Sequence, residues 1–358
     1  MEEVGIITII DNNNYGIRLQ NYALQEIVKR FNLNTITVKN DPLFNNKMGR
    51  IKIFLNILRI IKQRAKILIN IPHKRRRCFS KFDSNIEFSN TYFNINKSDP
   101  KYNYLVVGSD QVWNPTFGRL SDLDLTMFCT NAKRISYAAS FGISELPKQY
   151  EEKAKSSFEK FDNISVREDA GKSIIQKLTG REDVLVLIDP TMLLTSEEWD
   201  KVSKKPTQLE EGKKYILNYF LGELSAERKE EIERIAKENN CEVISILDKK
   251  SPFYQTGPSE FLYLQKNAFL ICTDSFHSCV FAMLYNRPFV IFDREENVVS
   301  MNSRIDTLLS KFNLKNRKFN KTITKENLNH DYTEAYKILD EERKKSIQFL
   351  QKALNIKE

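Results

Sequence analysis

The residue with the clearest chemical potential is His277, in the stretch TDSFHSCVFAMLYNRPF at residues 273–289. An apolar run precedes this stretch, and Thr273, Asp274 and Ser275 are residue types that favour the start of a helix. His277 is therefore predicted in the first turn of a helix, where backbone N–H groups and the helix dipole favour a bound anion. The pattern indicates an anion site with an imidazole beside it.

A second candidate anion site follows the first predicted strand, residues 5–10, in the loop DNNNYG. Asparagine and glycine adopt positive φ readily, so this loop can turn sharply and present backbone N–H groups at a helix start. An anion cradle and an ordinary strand-to-helix turn are equally open here. The cradle would consist of Asn13, Asn14, Tyr15 and Gly16.

Small and polar residues end two further predicted strands. Residues 104–107 run into GSDQVWNP, and residues 134–140 form RISYAAS. Ligands of open α/β sheets bind beyond the carboxyl ends of the strands. The candidate ligand contacts at these two ends are Gly108, Ser109, Asp110 and Ser140.

Arg167 follows the predicted strand at residues 164–166. From there its guanidinium could donate two hydrogen bonds to a carboxylate or a phosphate. The alternative is a salt bridge to the neighbouring Glu168 or Asp169, and the spacing favours that alternative.

Strands alternate with helices in both halves of the 358-residue chain. This pattern predicts two Rossmann-type parallel-sheet α/β domains that face each other across a cleft. The predicted divisions are an N-terminal domain at 1–200, a linker at 201–212, a C-terminal domain at 213–331 and a final helix at 332–358. One expectation for the final helix is that it packs back across the domain junction.

The net charge of +9 comes from one basic insert, residues 47–81, which holds 12 of the 56 Lys and Arg and no Asp or Glu. Within it, residues 50–71 have an amphipathic helical pattern, and the trailing HKRRR extends the basic surface to residue 77. The charges exclude a transmembrane span. A helix on an anionic membrane surface and a domain helix with a solvated basic face are equally open. Nucleic-acid binding is not expected, because interleaved aromatic residues are lacking.

The five cysteines form no CxxC pair, so neither a disulfide framework nor a zinc site is expected. No GxGxxG, Walker loop or metal-ligand cluster is present, and we expect no cofactor and no metal. The amino terminus lacks the features of a signal peptide. We expect a cytoplasmic protein, peripheral at the inner face of the membrane if the basic helix binds there.

Six ordered motifs, which span nearly the whole chain apart from the basic insert and the final helix, give a more specific indication. They are NNNYGIRLQNYALQ, YLVVGSDQVWNP, RISYAASFG, ISVRE, IDPTMLL and TDSFHSCVFAMLYNRPF, which begin at residues 12, 104, 134, 164, 188 and 273. Together they make the chain resemble the polysaccharide pyruvyl transferase family. The resemblance implies a GT-B-like fold and the transfer of an enolpyruvyl-derived group from phosphoenolpyruvate to a sugar of a cell-envelope glycan or exopolysaccharide, usually as a pyruvate ketal.

The resemblance also implies roles for particular residues. The family's proposed catalytic histidine falls on His277, and its anion-binding arginine falls on Arg167. Many members carry an arginine two residues before the histidine, where this chain has Ser275. We expect Arg287 or the helix N-terminus to supply the missing positive charge.

The expected partners are phosphoenolpyruvate, a lipid-linked glycan acceptor and an anionic membrane surface at residues 50–77. Two other functions stay open: a GT-B nucleotide-sugar glycosyltransferase, and a non-catalytic binding protein of glycan assembly. The sequence predicts neither the acceptor sugar nor the oligomeric state.

Overall fold

The computed structural model of the protein describes residues 2–11, 13–40, 73–90, 102–294 and 303–357. These form two compact units. The first unit contains the described residues of 1–76, 83–193 and 344–358, and the second contains those of 77–82 and 194–343. The predicted linker at 201–212 therefore lies within the second unit, where its residues form turns.

The described part of the first unit contains a six-stranded sheet whose neighbouring strands all run parallel, in the order β2-β1-β3-β4-β5-β6. Its inner strands are short apolar runs, as expected of a parallel sheet that is covered on both faces. The strands are β1 Glu3–Ile7, β2 Asn34–Thr37, β3 Tyr104–Val107, β4 Lys133–Ala139, β5 Asn163–Val166 and β6 Leu185–Val186. The last of these strands, β6, is only two residues long.

Helices connect these strands in the described part of the first unit, and an aromatic cluster holds the loop after β3. Trp113 is fully buried and packs on Phe141, Phe158 and Phe161, with ring centroids 4.8 to 5.9 Å away. This anchors the GSDQVW segment next to the sheet. The helices are α1 Tyr15–Lys29, α2 His73–Phe82, α3 Lys148–Phe158 and α4 Asp169–Thr179, with α2 divided between the units after residue 76.

The second unit has a four-stranded parallel sheet in its described part, in the order β10-β9-β7-β8. Its strands are β7 Tyr215–Tyr219, β8 Glu242–Ser245, β9 Leu270–Thr273 and β10 Phe289–Ile291. The helices are α5 Ser196–Asp200, α6 Ala226–Glu238, α7 Pro258–Asn267, α8 Phe276–Leu284, α9 Ser303–Lys311, α10 Lys325–Leu328 and α11 Thr333–Ala353. Residues from 344 onward in α11 belong to the first unit.

Short 3-10 turns complete the described secondary structure. They are Asp83–Asn85, Pro115–Phe117, Pro190–Met192, Pro252–Gln255 and Lys315–Arg317. Thr195 and Glu198 form a capping box at the start of α5, where each residue's side chain accepts the other's backbone N–H.

Each sheet has one point where consecutive connections leave in opposite directions, between β1 and β3 in the first unit and between β7 and β9 in the second. Parallel sheets bind ligands beyond the carboxyl ends of the strands at such points. A functional site is therefore expected in the segments after β1, β3, β7 and β9.

The predicted amphipathic helix at 50–71 lies outside the described residues, whereas residues 73–82 of the basic insert form α2. None of the described helices combines the length and the apolar character that a bilayer crossing needs. Within the described ranges the five cysteines form no disulfide, and no group of three or more His, Cys, Asp or Glu residues could hold a metal ion.

Candidate functional site

Arg167 follows β5 and forms ion pairs with two carboxylates in the first unit. Its Nη1 donates to Oδ2 of Asp189 at 2.6 Å, and its Nη2 donates to Oδ1 of Asp110 at 3.0 Å. All three residues are buried, with Arg167 only 4% exposed. The sequence alternative for Arg167 was a salt bridge to Glu168 or Asp169, whereas these two hydrogen-bonded carboxylates belong to Asp110 and Asp189. These lie after β3 and β6 and are far from Arg167 in sequence.

The charges around Arg167 favour its ionised form. Burial alone would lower the pKa of Arg167, but the carboxylates of Asp110, Asp189 and Glu168 outweigh burial and raise this pKa above its ordinary value. One guanidinium facing two paired carboxylates leaves a net negative charge, which opposes a further anion at this position. The anion-binding role predicted for Arg167 stays a prediction. Its hydrogen bond to Asp110 holds the Asp110 side chain in place.

Glu168, the neighbour of Arg167, organises the segment after β4. Its Oε1 accepts hydrogen bonds from the Ser140 hydroxyl at 2.9 Å and from the backbone N–H of Phe141 at 2.9 Å. Glu168 and Ser140 are both fully buried. The side chain of Ser140, predicted as a ligand contact, is therefore engaged in holding the strand end.

Gly108 and Ser109 bring the end of β3 close to β4 and α1. Gly108 has a φ of +135°, and a Cβ there would lie 2.1 Å from the Tyr137 carbonyl oxygen, so only glycine fits. The Ser109 N–H donates to Oε1 of Gln20 at 2.9 Å, and the Ser109 hydroxyl lies 2.7 Å from the Ala138 carbonyl oxygen and 3.1 Å from Oδ2 of Asp189. These contacts occupy the crevice between β1 and β3 with polar groups of the chain itself.

A guanidinium sits at the predicted cradle of residues 13–16. Asn14 caps α1 through its side chain, which accepts the N–H of Ile17. Arg75 of α2 donates from Nε to Oδ1 of Asn13 at 2.7 Å and from Nη1 to the Tyr15 hydroxyl at 2.6 Å. Gly16 is buried in the first turn of α1.

The position of Arg75 corrects one expectation for the basic surface at 50–77. Arg75 is fully buried, and its guanidinium lies 4.7 Å from the Tyr15 ring centroid. Its charge therefore serves the loop after β1 and is not presented to a membrane. Lys74 and Arg77, on the same helix, are exposed.

His277 lies in the first turn of α8 in the second unit, as the sequence predicted. A residue next to a polar helix cap would be expected near solvent, but His277 is only 7% exposed. The physical reason is that all nine residues of α8 are buried, so no face of this mostly apolar helix points to water. The His277 ring makes an edge contact with the Phe276 ring at 5.3 Å between centroids.

The cap residues of α8 have different partners. The Thr273 hydroxyl donates to the Tyr219 carbonyl oxygen at 2.6 Å and accepts the Ser275 N–H at 3.0 Å. Ser275, the N-cap residue, makes no side-chain cap hydrogen bond. The first turn of a helix has backbone N–H groups without intrahelical partners, which a bound anion can accept from.

The Asp274 carboxylate joins three elements beside α8. It accepts the backbone N–H of Leu221 at 2.7 Å and of Gly222 at 2.8 Å, and Nε of Arg294 at 2.9 Å. Leu221 and Gly222 follow β7, and Arg294 follows β10, so the carboxyl ends of β7, β9 and β10 meet at this one side chain. Asp274 thus positions a cation next to the start of α8.

Arg287 does not lie beside the start of α8. It follows the carboxyl end of α8, and the seven residue steps from His277 to Leu284, at about 1.5 Å each, separate His277 from that end by about 10 Å along the helix axis. Its backbone carbonyl accepts the Tyr332 hydroxyl at 2.8 Å. This position beyond the far end of α8 does not fit the expectation that Arg287 replaces the charge absent at Ser275, whereas Arg294 lies beside Asp274.

The sequence reasoning missed four residues that build these sites. Asp189 and Arg294 each come shortly after a strand, so the rule that polar residues at strand ends are candidates could have found them. Gln20 and Arg75 left no such signal, because they act from helices. Only their contacts with Ser109 and with Asn13 reveal them.

Comparisons with known proteins agree on a family and a fold. The model of the polysaccharide pyruvyl transferase family matches residues 14–296. A structure described as a UDP-N-acetylglucosamine 2-epimerase from Listeria monocytogenes is similar with a TM-score of 0.50 and 12% identity over 98% of this chain and 90% of that one. The structure of UDP-GlcNAc 2-epimerase from Neisseria meningitidis, bound to UDP-GlcNAc, is similar with a TM-score of 0.50 and 12% identity over 100% of this chain and 95% of that one.

At 12% identity these two likenesses establish the GT-B-like fold alone, which confirms the predicted fold class of two parallel-sheet units. No curated protein sequence matches the chain significantly.

Proposed function

This chain belongs to the polysaccharide pyruvyl transferase family, and we propose that it transfers the enolpyruvyl-derived group of phosphoenolpyruvate to two hydroxyls of a cell-envelope or exopolysaccharide sugar. The product is a pyruvate ketal, with inorganic phosphate released. The observation that carries the proposal is the position of His277 in the first turn of α8, with Arg294 held beside that turn by Asp274.

Phosphoenolpyruvate carries a phosphate and a carboxylate, and the start of α8 offers groups that suit both. The helix N-terminus favours one anion, and Ser275 makes no side-chain cap bond that would compete with it. The Arg294 guanidinium, held by Asp274 through Nε, adds a positive charge beside this turn. In the proposal these groups bind the donor next to the His277 ring.

The proposed reaction has two additions and one elimination. A proton adds to the methylene carbon of phosphoenolpyruvate, and C2 becomes electron-deficient. A sugar hydroxyl adds to C2 as His277 takes its proton. The bond between C2 and the phosphate oxygen then breaks, and phosphate leaves with the electron pair. A second sugar hydroxyl adds to C2 and loses its proton, which closes the ketal. These steps require neither a metal nor a redox cofactor.

Proton transfer by His277 and charge stabilisation supply the proposed rate enhancement. A positioned acid or base contributes roughly 10²- to 10⁴-fold. Preorganised donors aimed at developing charge contribute about 10²- to 10³-fold each. His277 is buried among apolar residues of α8, where such electrostatic effects are larger than in water.

The proposed acceptor is a glycan on a lipid diphosphate carrier, with the enzyme bound at the inner face of the membrane. The exposed basic residues of α2, Lys74, Arg77 and Lys81, support this part of the proposal. Each basic residue near an anionic surface contributes about 1 kcal/mol of attraction.

Two measurements test the function. Phosphoenolpyruvate at millimolar concentration should raise the melting temperature, and UDP or GDP at the same concentration should not, because a ligand stabilises only the protein that binds it. Incubation with phosphoenolpyruvate and a panel of lipid-linked glycans should then give a product with the mass of a pyruvyl ketal. Stabilisation by UDP or GDP with no effect of phosphoenolpyruvate would instead identify a nucleotide-sugar glycosyltransferase.

A further inference from the structure

A cavity in the second unit lies between α6 and the carboxyl ends of β7 and β8. Its volume is about 570 Å³, which is within the range of small-ligand sites. Six of its lining residues carry the argument: Asn218, Phe220, Lys229, Glu233, Ser245 and Asp248. None of these residues belongs to the donor site proposed around His277.

Two of these residues place polar side chains next to each other on one face of the sheet. Asn218 of β7 and Ser245 of β8 are register partners, so their side chains lie side by side on one face of the sheet. On β7 that face continues from Ile216, a fully buried core residue, through Asn218 to Phe220, which packs against the same core. Asn218 and Ser245 are half-buried, so this face changes from apolar to polar side chains where it lines the cavity.

The Asn218 carboxamide has unused hydrogen-bonding capacity. Its Oδ1 is buried and has no hydrogen-bond partner among the described residues. A buried polar atom without a partner destabilises the fold, so its presence needs a reason. A ligand in the cavity that hydrogen-bonds to the carboxamide is such a reason.

The charges around the cavity identify the kind of ligand. Lys229 is the one cation among the six residues, against the carboxylates of Glu233 and Asp248, so the lining is net negative. This opposes a nucleoside diphosphate or another polyanion. Carboxylates, a carboxamide and a hydroxyl suit the hydroxyl groups of a neutral sugar, and the Phe220 ring supplies an apolar surface for its C–H groups.

We propose that this cavity binds a neutral sugar residue of the acceptor glycan. The cavity borders the donor site, because Gly222 lines it while the Gly222 N–H donates to Asp274. The sugar held here is then a neighbour of the residue that receives the pyruvyl group. The identification of this sugar as part of the acceptor rests on the proposed function, whereas sugar binding in the cavity does not.

Saturation-transfer difference NMR tests the proposal with the methyl glycosides of glucose, galactose, mannose, N-acetylglucosamine and N-acetylmannosamine, and with UDP. At least one glycoside should bind the wild-type protein. Its binding should weaken at least tenfold in Asn218→Leu and in Ser245→Val, which remove the hydrogen bonds and suit the apolar face. Asn267→Leu is the matched control, because Asn267 is exposed at the end of α7, and it should bind as the wild type does.

Each other outcome overturns the proposal. These outcomes are no binding of any glycoside, glycoside binding that neither cavity variant weakens, and UDP binding that both variants abolish. If Asn218→Leu fails to fold, glycoside binding by Ser245→Val alone tests the proposal. Melting shifts with phosphoenolpyruvate separate this result from the proposed function. If phosphoenolpyruvate still raises the melting temperature of both cavity variants but no glycoside binds, only the sugar site is overturned. If a glycoside binds but phosphoenolpyruvate does not raise the melting temperature of the wild-type protein, only the pyruvyl transfer is overturned.

Discussion

Nε of Arg294 lies 2.9 Å from Oδ2 of Asp274, on the carboxylate that also accepts the backbone N–H groups of Leu221 and Gly222. Both charged side chains are nearly inaccessible, at 11% and 4%. Asp274 therefore holds a cation at a defined place beside the first turn of α8.

Replacement of Arg294 should selectively impair donor binding. Arg294→Gln should lower kcat/KM for phosphoenolpyruvate by about 100-fold, or about 2.7 kcal/mol, because a charged donor to the ligand is lost. Arg287→Gln is the matched control, since Arg287 lies beyond the opposite end of α8, and it should keep kcat/KM within about threefold. Steady-state kinetics with varied phosphoenolpyruvate measures both. A loss in Arg287→Gln with none in Arg294→Gln would reverse the assignment.

Removal of the His277 imidazole should stop turnover and leave the fold intact. His277→Ala should reduce phosphate release from phosphoenolpyruvate roughly 10²- to 10⁴-fold, the contribution of a positioned base. His330→Ala is the control, because the His330 ring is hydrogen-bonded to the Asn286 carbonyl oxygen, beyond the opposite end of α8 from His277. Melting temperatures should confirm that both variants fold. Consumption of phosphoenolpyruvate by His277→Ala at the wild-type rate, with the true acceptor present, contradicts the role.

The ion pairs of Arg167 should contribute strongly to the stability of the first unit. Asp189→Asn should lower the free energy of unfolding by about 3 kcal/mol, because it removes one charge partner from a guanidinium that is almost fully buried. Asp183→Asn makes the same change in the Arg181–Asp183 pair, where Asp183 is 57% exposed, and should cost at most about 1 kcal/mol.

Urea denaturation followed by tryptophan fluorescence measures this difference. The chain has two tryptophans, Trp113 in the first unit and Trp199 in the second, so a Trp199→Phe background makes Trp113 report on the first unit alone. Equal effects of the two substitutions would mean that burial of the Arg167 cluster adds nothing to its strength.

The exposed basic residues of α2 should contribute to binding of anionic membranes. Replacement of Lys74, Arg77 and Lys81 by Gln should weaken flotation with phosphatidylserine vesicles about 100-fold, at about 1 kcal/mol for each charge. The matched control replaces three exposed lysines elsewhere by Gln, namely Lys148, Lys237 and Lys344. Equal recovery of the two triple variants would exclude a specific role for α2. Arg75 is left unchanged because it is buried against Tyr15.

The alternation of apolar runs and helical stretches was enough to predict both parallel sheets and the location of His277 in the first turn of a helix. These are local properties, because strand periodicity, N-cap residues and a capping box depend on residues a few positions apart. Strand ends were predicted less well. The apolar run at 184–188 forms a strand only at Leu185–Val186, because only these two residues pair with β5.

Side-chain partners could not be predicted in this way. Arg167 was expected to bind an anion or its chain neighbours, but its partners come from loops after two other strands, 57 and 22 residues away. Sequence spacing contains no information on which loops a sheet order brings together. The same reason explains why Arg75 was assigned to a membrane surface.

The sequence by itself determined the fold class, the family and the position of a histidine at a helix N-terminus, because each depends on local patterns or ordered motifs. The tertiary structure decided which charges stand beside that histidine. Arg287 is closer to His277 in sequence, yet the intervening helix carries it to the far end, whereas the return of the chain through β10 brings Arg294 back to Asp274. The length of α8 separates Arg287 from His277, and the parallel strand β10 returns the chain to the edge of the sheet where α8 begins.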